Sequence, residues 1–220
     1  MKQSLVMIDT SSIPEPHQNN FVLQSGEDLK NSQSAMILIH GRGATAESML
    51  SFAEEFDANN ICFLAPQASN GTWYPNSFIT PRNLNEPGIS SGLKMIELLV
   101  AEIKKNSIPD EKIFILGFSQ GACLALEFAA KNSGKYGGII GLSGGLIGDV
   151  IEQEEYASDL KNTPVFIGCS DIDFHIPLER VKETARIFSK LNANVTERIY
   201  TGMGHTVNED EIKFIKNMLK

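Results

Sequence analysis

Residues 113–131 read IFILGFSQGACLALEFAAK, and this stretch decides the fold of the chain. The apolar run 113–116 predicts a short buried strand, and residues 122–131 have the composition and length of a buried helix. Between them stands Gly-Phe-Ser-Gln-Gly, a G-x-S-x-G pattern that puts Ser119 on a tight turn from strand to helix. The pattern predicts a nucleophilic serine raised above a sheet. The alternative is a glycine-rich turn in which Ser119 only caps the helix.

The alternation of apolar runs and helical periods continues on both sides of this turn. Further strands are predicted at residues 36–39, 61–65, 139–142, 165–167 and 195–200, and further helices at 48–56, 92–105, 177–191 and 212–219. Continuous apolar strands between amphipathic helices indicate a mostly parallel sheet that is covered on both faces. The fold class is therefore α/β and doubly wound. Residues 21–29 are expected to add an antiparallel strand at the edge of the sheet.

Length and composition indicate one domain over residues 1–220, with 1–19 as a peripheral N-terminal segment. Twenty-seven acidic against 19 basic residues leave a net charge of −8, which argues against nucleic acid or an anionic membrane surface as a partner. No apolar run approaches the roughly 18 residues that a membrane span needs, so membrane insertion is not expected. The N-terminus lacks the apolar core of a signal peptide, and the three cysteines form no CxxC pair. We expect a cytoplasmic protein with free, buried thiols.

The carboxyl ends of the strands are where such sheets form their functional crevice, so a base for Ser119 should lie there. Of the four histidines, His205 stands in TGMGH, directly after the last predicted strand, and is the expected base. The alternative is that His205 is a cap or surface residue. His17 precedes every predicted core strand and is expected to be solvated, and His175 is expected to lie at the entry to a helix. His40 ends the first core strand.

An orienting acid and an oxyanion hole complete the expected site. Asp171 and Asp173 both follow the strand at 165–167, and the spacing alone does not choose between them. The chain order Ser, Asp, His is that of the α/β-hydrolases. The oxyanion donors are expected to be the backbone N–H groups of Gln120, directly after the serine, and of Arg42, in the His-Gly-Arg-Gly loop after the strand at 36–39.

Five motifs in order resemble the phospholipase/carboxylesterase family of α/β-hydrolases, which includes the acyl-protein thioesterases. They are HGxG at 40–43, APQ at 65–67, GFSQG at 117–121, DxxIP at 173–177 and GxGH at 202–205. The resemblance covers about residues 20–219 and implies a compact serine hydrolase of carboxylic esters without a large cap domain. It assigns the acid to Asp173. Arg42 and Ala44 stand where the eukaryotic thioesterases carry Leu and Asp, so the chain looks closer to small bacterial carboxylesterases.

These observations predict a serine carboxylesterase in which Ser119 attacks the ester, His205 is the base and Asp173 orients it, with no metal and no other cofactor. A lysophospholipase or acyl thioesterase is the nearest alternative, and a catalytically silent ligand-binding protein is the alternative from another class. The expected partner is a small-molecule ester. The oligomeric state stays open, with a homodimer as one option. Trp73, in the polar loop 67–87, either walls the substrate pocket or only anchors its loop.

Overall fold

Eight strands form one sheet in the computed structural model, which describes residues 3–6, 8–56, 59–156 and 159–220. In chain order the strands are β1 Ser4–Val6, β2 Val22–Gly26, β3 Ser34–Ile39, β4 Ile61–Pro66, β5 Ile113–Phe118, β6 Gly138–Leu142, β7 Pro164–Ser170 and β8 Asn194–Tyr200. Their order across the sheet is β1-β2-β4-β3-β5-β6-β7-β8. The strands β1 and β2 are antiparallel to their neighbours, and all the others pair in parallel.

Five α-helices cover the sheet within the same described ranges: α1 Ala46–Ala53, α2 Gly88–Lys105, α3 Gln120–Lys131, α4 Leu178–Lys190 and α5 Glu209–Met218. Side chains from α2, α3 and α4 form one apolar core with Ala35, Ile37 and Ile39 of β3. Side chains from α1 and α5 form a second core with Met36 and Leu38 on the opposite face of the same strand. Because both faces are packed, the central strands are apolar throughout, as the sequence predicted.

The fold class is confirmed, and the chain has the α/β-hydrolase arrangement without a large cap. The segment between β6 and β7, where a cap would add length, spans only residues 143–163. A buried carboxylate, Glu127 on α3, holds two loops against the sheet. It accepts hydrogen bonds from Arg82 Nη1 (2.6 Å), Ile147 N (3.2 Å) and Tyr156 OH (3.0 Å). Through these bonds Glu127 fixes the segment that carries Arg82 and the segment that carries Ile147 and Tyr156.

The N-terminal segment differs from the expectation in two ways. Residues 4–6 form β1, which pairs outside β2, so β2 is antiparallel as predicted but does not lie at the sheet edge. Ile13 and His17 are fully buried, so the prediction that His17 is solvated was wrong. The ring of His17 lies between Trp73 O, 3.0 Å from Nε2, and Ser69 N, which donates to Nδ1 at 3.2 Å. His17 therefore holds the segment to the loop after β4.

Candidate active site

The G-x-S-x-G turn places Ser119 between β5 and α3 with an unusual backbone conformation. Its φ is 56° and its ψ is −120°, a combination that raises the side chain above the strand ends. Gly117 and Gly121 make this turn sterically feasible. A Cβ on Gly117 would lie 2.2 Å from the backbone of Gly121, and one on Gly121 would lie 2.1 Å from Ile39 O. Both glycines are therefore required by close backbone contacts.

The loop after β8 brings His205 to Ser119. Gly202 and Gly204 have φ of 71° and 77°, a left-handed conformation that glycine adopts without strain. Two hydrogen bonds to the end of β7 fix this loop. Gly204 N donates to Ser170 Oγ at 3.0 Å, and Gly202 N donates to Asp171 Oδ1 at 2.8 Å. His205 Nε2 then lies 2.9 Å from Ser119 Oγ, although the two residues are 86 positions apart.

Asp173 lies on the far side of the His205 ring. Its Oδ2 is 2.7 Å from His205 Nδ1, and its Oδ1 accepts the backbone N–H groups of His175 (2.9 Å) and Ile176 (3.1 Å). Burial of the carboxyl opposes ionisation, but the bonds from His205 and these amides outweigh it and lower the pKa of Asp173 below its usual value. An ionised carboxylate only accepts, so His205 carries its proton on Nδ1 and turns the Nε2 lone pair to Ser119.

The two candidate acids are separated by their contacts. Asp173 has a fully buried side chain that touches His205, whereas Asp171 is exposed and binds Gly202 N on the neighbouring loop. Of the two carboxylates, only Asp173 is hydrogen-bonded to the imidazole. Asp171 shapes the loop that carries His205, which is a common use of aspartate in turns.

The two residues whose amides are the predicted oxyanion donors, Arg42 and Gln120, line the same cavity as Ser119. Gln120 N is the first amide of α3, and Gly41 lies so close to the serine that a Cβ there would be 3.3 Å from Ser119 Cβ. Within the described part of the chain, neither Gln120 N nor Arg42 N has a hydrogen-bond acceptor. Two free amides next to a serine, one of them at a helix N-terminus, are suited to a developing negative charge.

The side chains of these same two residues hold the loop that follows β4. Gln120 accepts Trp73 N at 2.8 Å and donates to Tyr74 O at 2.8 Å. The Arg42 guanidinium donates to three carbonyls in a row, those of Tyr74 (2.9 Å), Pro75 (2.9 Å) and Asn76 (2.7 Å). Sequence reasoning assigned only the backbone of Arg42 and Gln120 and missed these contacts, because neither pattern reveals a distant carbonyl partner.

Trp73 is not among the residues that line the cavity at Ser119, and its contacts match the second of the two roles left open by the sequence, that of a loop anchor. It is fully buried and donates from Nε1 to His40 O at 2.9 Å, which anchors its loop. The neighbouring Tyr74 lines the cavity instead. His40 is itself buried, with Nδ1 bonded to Gly41 O (2.7 Å) and Nε2 accepting Ala68 N (3.1 Å). Burial lowers the pKa of His40, so this histidine is a neutral structural support.

The cavity has a volume of about 480 Å³ and opens at Ser119 and His205. Its walls include Gly41, Arg42 and Ala44, the loop 74–78, and His175 with Ile176. His175, expected only at the entry to a helix, also packs its ring against His205 with the centroids 4.8 Å apart. Cys123 closes the inner end, and burial raises the pKa of its thiol to about 12, so it does not compete as a nucleophile.

The described residues contain no cluster of three or more His, Cys, Asp or Glu side chains that could hold a metal ion. All three cysteines are described, and each is buried and unpaired, as predicted. In the described ranges, no helix combines the length and the apolar composition needed to cross a bilayer. The arrangement brings together a serine hydroxyl, an imidazole, a carboxylate and two backbone amides that have no acceptor among the described residues.

Comparison with known proteins connects this arrangement to a family. The family model for Phospholipase/Carboxylesterase matches residues 18–220. The alignment with acyl-protein thioesterase 1 of Debaryomyces hansenii is 218 residues long at 28% identity, and it covers 87% of this chain and 94% of that protein. The alignment with the same-named protein of Saccharomyces cerevisiae is 221 residues long at 27% identity, and it covers 90% of this chain and 96% of that protein.

Solved structures give the same relationship. The crystal structure of a phospholipase/carboxylesterase from Dyadobacter fermentans superposes with a TM-score of 0.90 at 40% identity, covering 95% of this chain and all (100%) of that one. A carboxylesterase from Mesorhizobium loti, at 18% identity and a TM-score of 0.74 over 100% of this chain and 99% of its own, shares the fold. The chain belongs to the phospholipase/carboxylesterase family of α/β-hydrolases, and it is a serine hydrolase of the carboxylic ester class.

Proposed function

We propose that the protein is a serine carboxylesterase that works through Ser119, His205 and Asp173. The observation that carries the proposal is the continuous hydrogen-bond chain from Asp173 Oδ2 to His205 Nδ1 (2.7 Å) and from His205 Nε2 to Ser119 Oγ (2.9 Å). The bond to Ser119 Oγ is short enough for His205 Nε2 to take the serine proton, and the bond to Asp173 orients the ring and stabilises its charged form. The sequence family supports the same reaction class.

The reaction has two halves. Ser119 Oγ attacks the ester carbonyl while His205 Nε2 takes the serine proton, and the same nitrogen then gives that proton to the departing alcohol. This step leaves an acyl group on Ser119. In the second half, His205 activates a water molecule, which attacks the acyl carbonyl, and the acid is released as the proton returns to Ser119. Asp173 stays ionised throughout and stabilises the imidazolium that forms in each half.

The negative oxygen of each tetrahedral intermediate is assigned to the amides of Arg42 and Gln120. The Arg42 side chain is hydrogen-bonded to the carbonyls of residues 74–76, and the Gln120 side chain is hydrogen-bonded to the backbone of residues 73 and 74. The donors are thus fixed before the substrate arrives. Preorganised donors of this kind contribute more to the rate than donors that must reorient during the reaction.

An acyl thioesterase is the second candidate, because relatives named acyl-protein thioesterase 1 match 87% and 90% of the chain. The same serine chemistry serves esters and thioesters, so the distinction rests on the pocket. Arg42 and Ala44 depart from the thioesterase pattern of the HGxG loop and favour the carboxylesterase. A lysophospholipase would use the same groups on a longer acyl chain. A panel of p-nitrophenyl esters and acyl thioesters of graded chain length separates these three activities by their kcat/KM.

The first prediction tests the enzyme against a silent binding protein. A fluorophosphonate probe should label the wild-type chain once, on Ser119, because only an activated serine reacts with it. The Ser119→Ala variant should lose labelling and lose several orders of magnitude in kcat, since the nucleophile and base act as a unit. Peptide mapping of the labelled chain and p-nitrophenyl acetate turnover measure the two effects.

The matched control is Ser189→Ala, an exposed serine on α4 whose Oγ donates to Ala185 O. It makes the same chemical change away from the cavity and should keep full labelling and turnover. Labelling of Ser119→Ala at the wild-type level, or no labelling of the folded wild type, contradicts the proposed function. The cytoplasmic location stays a prediction, which fractionation of source cells with an antibody to the chain would test.

A further inference from the structure

The cavity at Ser119 differs in charge from the rest of the molecule. The chain carries 27 acidic and 19 basic residues and a net charge of −8. Among the described residues that line the cavity there is no aspartate or glutamate, whereas Arg42, His175 and His205 all line it. The carboxylate of Asp173, which is bonded to His205, has a fully buried side chain and does not line the cavity. The opening is therefore a basic region on an acidic protein.

Arg42 supplies the permanent positive charge of this region. Within the described residues, no carboxylate oxygen lies within 4.0 Å of its guanidinium. Three of its N–H groups bind the carbonyls of residues 74–76, one from Nη1 and two from Nη2. A guanidinium has five N–H groups, so Nε–H and one Nη1–H have no acceptor among the described residues. The carbonyl dipoles fix the orientation of the group but do not cancel its charge.

His175 also lines the cavity and adds an imidazole whose ring nitrogens have no hydrogen-bond partner among the described residues. Its backbone N–H binds Asp173, but neither ring nitrogen is hydrogen-bonded to another described residue. The exposed ring is held between Phe174, at a centroid distance of 4.3 Å, and His205, at 4.8 Å. The lining of the cavity thus holds a fixed cation, Arg42, and a second nitrogen donor, His175.

We propose that the preferred substrate is an ester that carries an anionic oxygen group, a carboxylate or a phosphate, and that Arg42 binds this group with His175 as a second donor. The inference rests on the proposed serine esterase activity and specifies its substrate class. A charge-assisted hydrogen bond from a fixed guanidinium favours an anion over its neutral analogue. Because Arg42 is exposed to solvent, we expect a preference of about five- to tenfold rather than the larger value of a buried pair.

Two pairs of substrates test the proposal, and they distinguish its two sources of charge. In the carboxylate pair, the mono-p-nitrophenyl ester of adipic acid is compared with the same ester in which the free carboxylate is a carboxamide of equal size. In the phosphate pair, monobutyrylglycerol phosphate is compared with monobutyrylglycerol. Each comparison is expressed as the ratio of kcat/KM for the anionic and the neutral member, near neutral pH and after subtraction of uncatalysed hydrolysis.

Variants at Arg42 separate charge recognition from loop support. Arg42→Gln removes the charge and should bring the ratio of the sensitive pair close to one, whereas Arg42→Lys keeps the charge and should retain part of the preference. Loss of the bonds to residues 74–76 alone would change the turnover of both members equally and leave their ratio unchanged. The matched control is Arg186→Gln, an exposed arginine on α4 outside the cavity, which changes the net charge identically and should keep the wild-type ratio.

A wild-type ratio above about five in either pair, lost in Arg42→Gln and reduced at high ionic strength, supports the proposal and identifies the anionic group. A ratio near one in both pairs, with normal turnover of the neutral esters, overturns the proposal but leaves the esterase function intact. A preference that persists in Arg42→Gln also overturns it. Absence of turnover with all four substrates, together with absence of fluorophosphonate labelling, overturns the esterase function itself.

Discussion

Asp171 and Asp173 are two residues apart on one loop, yet their carboxylates have different hydrogen-bond partners. The Asp173 carboxylate holds the Nδ1–H tautomer of His205, which leaves Nε2 free to take the serine proton. Asp171 holds only Gly202 N and stays exposed. The amide of asparagine has nearly the shape of the carboxylate, so exchanging each acid for asparagine tests its charge and proton-accepting role without creating a cavity.

The second prediction is that Asp173→Asn loses about 10⁴ in kcat, as the corresponding change does in serine proteases, because the amide favours the wrong imidazole tautomer. Asp171→Asn should lose less than about tenfold, since its amide oxygen can still accept Gly202 N. Both variants are assayed side by side on one activated ester, with circular dichroism as the check on folding. A dead Asp171→Asn beside an active Asp173→Asn would reverse the assignment.

At the residue scale, the sequence predicted the groups that depend on local pattern and missed those that depend on distant contacts. Ser119 was predictable because G-x-S-x-G between a strand and a helix permits few other structures. Asp171 and Asp173 were not separable by spacing, and the family pattern was needed to choose. His17 was misjudged because its burial depends on a partner 56 positions away, Trp73 O, and the same long separation left the role of Trp73 open. No local pattern encodes such a contact.

Helix α5 carries a buried acid in its N-terminal capping box. Glu211 Oε2 accepts Asn208 N at 2.9 Å, and Asn208 Oδ1 accepts Glu211 N at 3.0 Å. The other oxygen, Oε1, is buried without a hydrogen-bond partner among the described residues and faces Gly168 of β7. Burial raises the pKa of Glu211 from 4.5 to about 7, so the folded protein holds a proton there that the unfolded chain releases.

The third prediction follows from the sign of this shift. Between pH 4.5 and about pH 7 the folded state binds more protons at Glu211 than the unfolded state, so its contribution makes the free energy of unfolding fall as the pH rises. A Glu211→Gln variant lacks this ionisation but keeps an oxygen for Asn208 N. It should therefore gain about 1–3 kcal/mol relative to wild type between roughly pH 5 and pH 8.

Urea unfolding of both proteins at the two pH values measures this difference. The matched control is Glu209→Gln, which removes an exposed carboxylate from the same first turn of α5. Its difference from wild type should change by no more than a few tenths of a kcal/mol with pH. A pH-independent difference for Glu211→Gln would show that the buried carboxyl does not titrate in this range.

Element boundaries were harder to predict than the elements themselves. The helix expected at residues 48–56 begins at Ala46, because Thr45 and Ser48 form a capping box with a serine where the usual signal is glutamate or glutamine. Its end is also different, since residues 54–56 continue as a short 3₁₀ turn. The strand β1 was not predicted, because three residues with mostly exposed side chains give no periodic apolar signal. A periodic pattern of apolar residues predicts a helix or strand only where one of its faces packs against the core.

At the scale of the whole molecule, the sheet topology was predictable because its central strands are apolar without interruption. The parallel arrangement then placed the carboxyl ends of β5, β7 and β8 at one edge, and these three ends supply Ser119, Asp173 and His205. The prediction of a single domain over residues 1–220 stays an expectation. The peripheral position of the N-terminus was only partly foreseeable, since its buried residues depend on contacts with the loop after β4.

The three groups are not attached to equally stable parts of the sheet. Ser119 follows β5, which has neighbours on both sides and buried side chains, whereas His205 follows β8, the last strand, which pairs only with β7. The contacts of β8 with α5 include those of the half-buried Arg198 and Tyr200 to the exposed Asp210, and ion pairs that solvent reaches contribute little. Local opening of a structure begins where contacts are few, so β8 should separate before the centre of the sheet.

Partial unfolding should therefore inactivate the protein before the fold is lost. Trp73, the single tryptophan, is buried beside the Ser119 turn, so its fluorescence reports the centre, while esterase activity requires the β8 end as well. In a urea titration the fourth prediction is an activity midpoint below the fluorescence midpoint, with amide hydrogens of β8 exchanging faster than those of β5. Coincident midpoints would mean that the sheet opens as one unit. If the midpoints are separate as predicted, mild denaturation displaces the base while the nucleophile stays in place, and removal of the urea should restore activity.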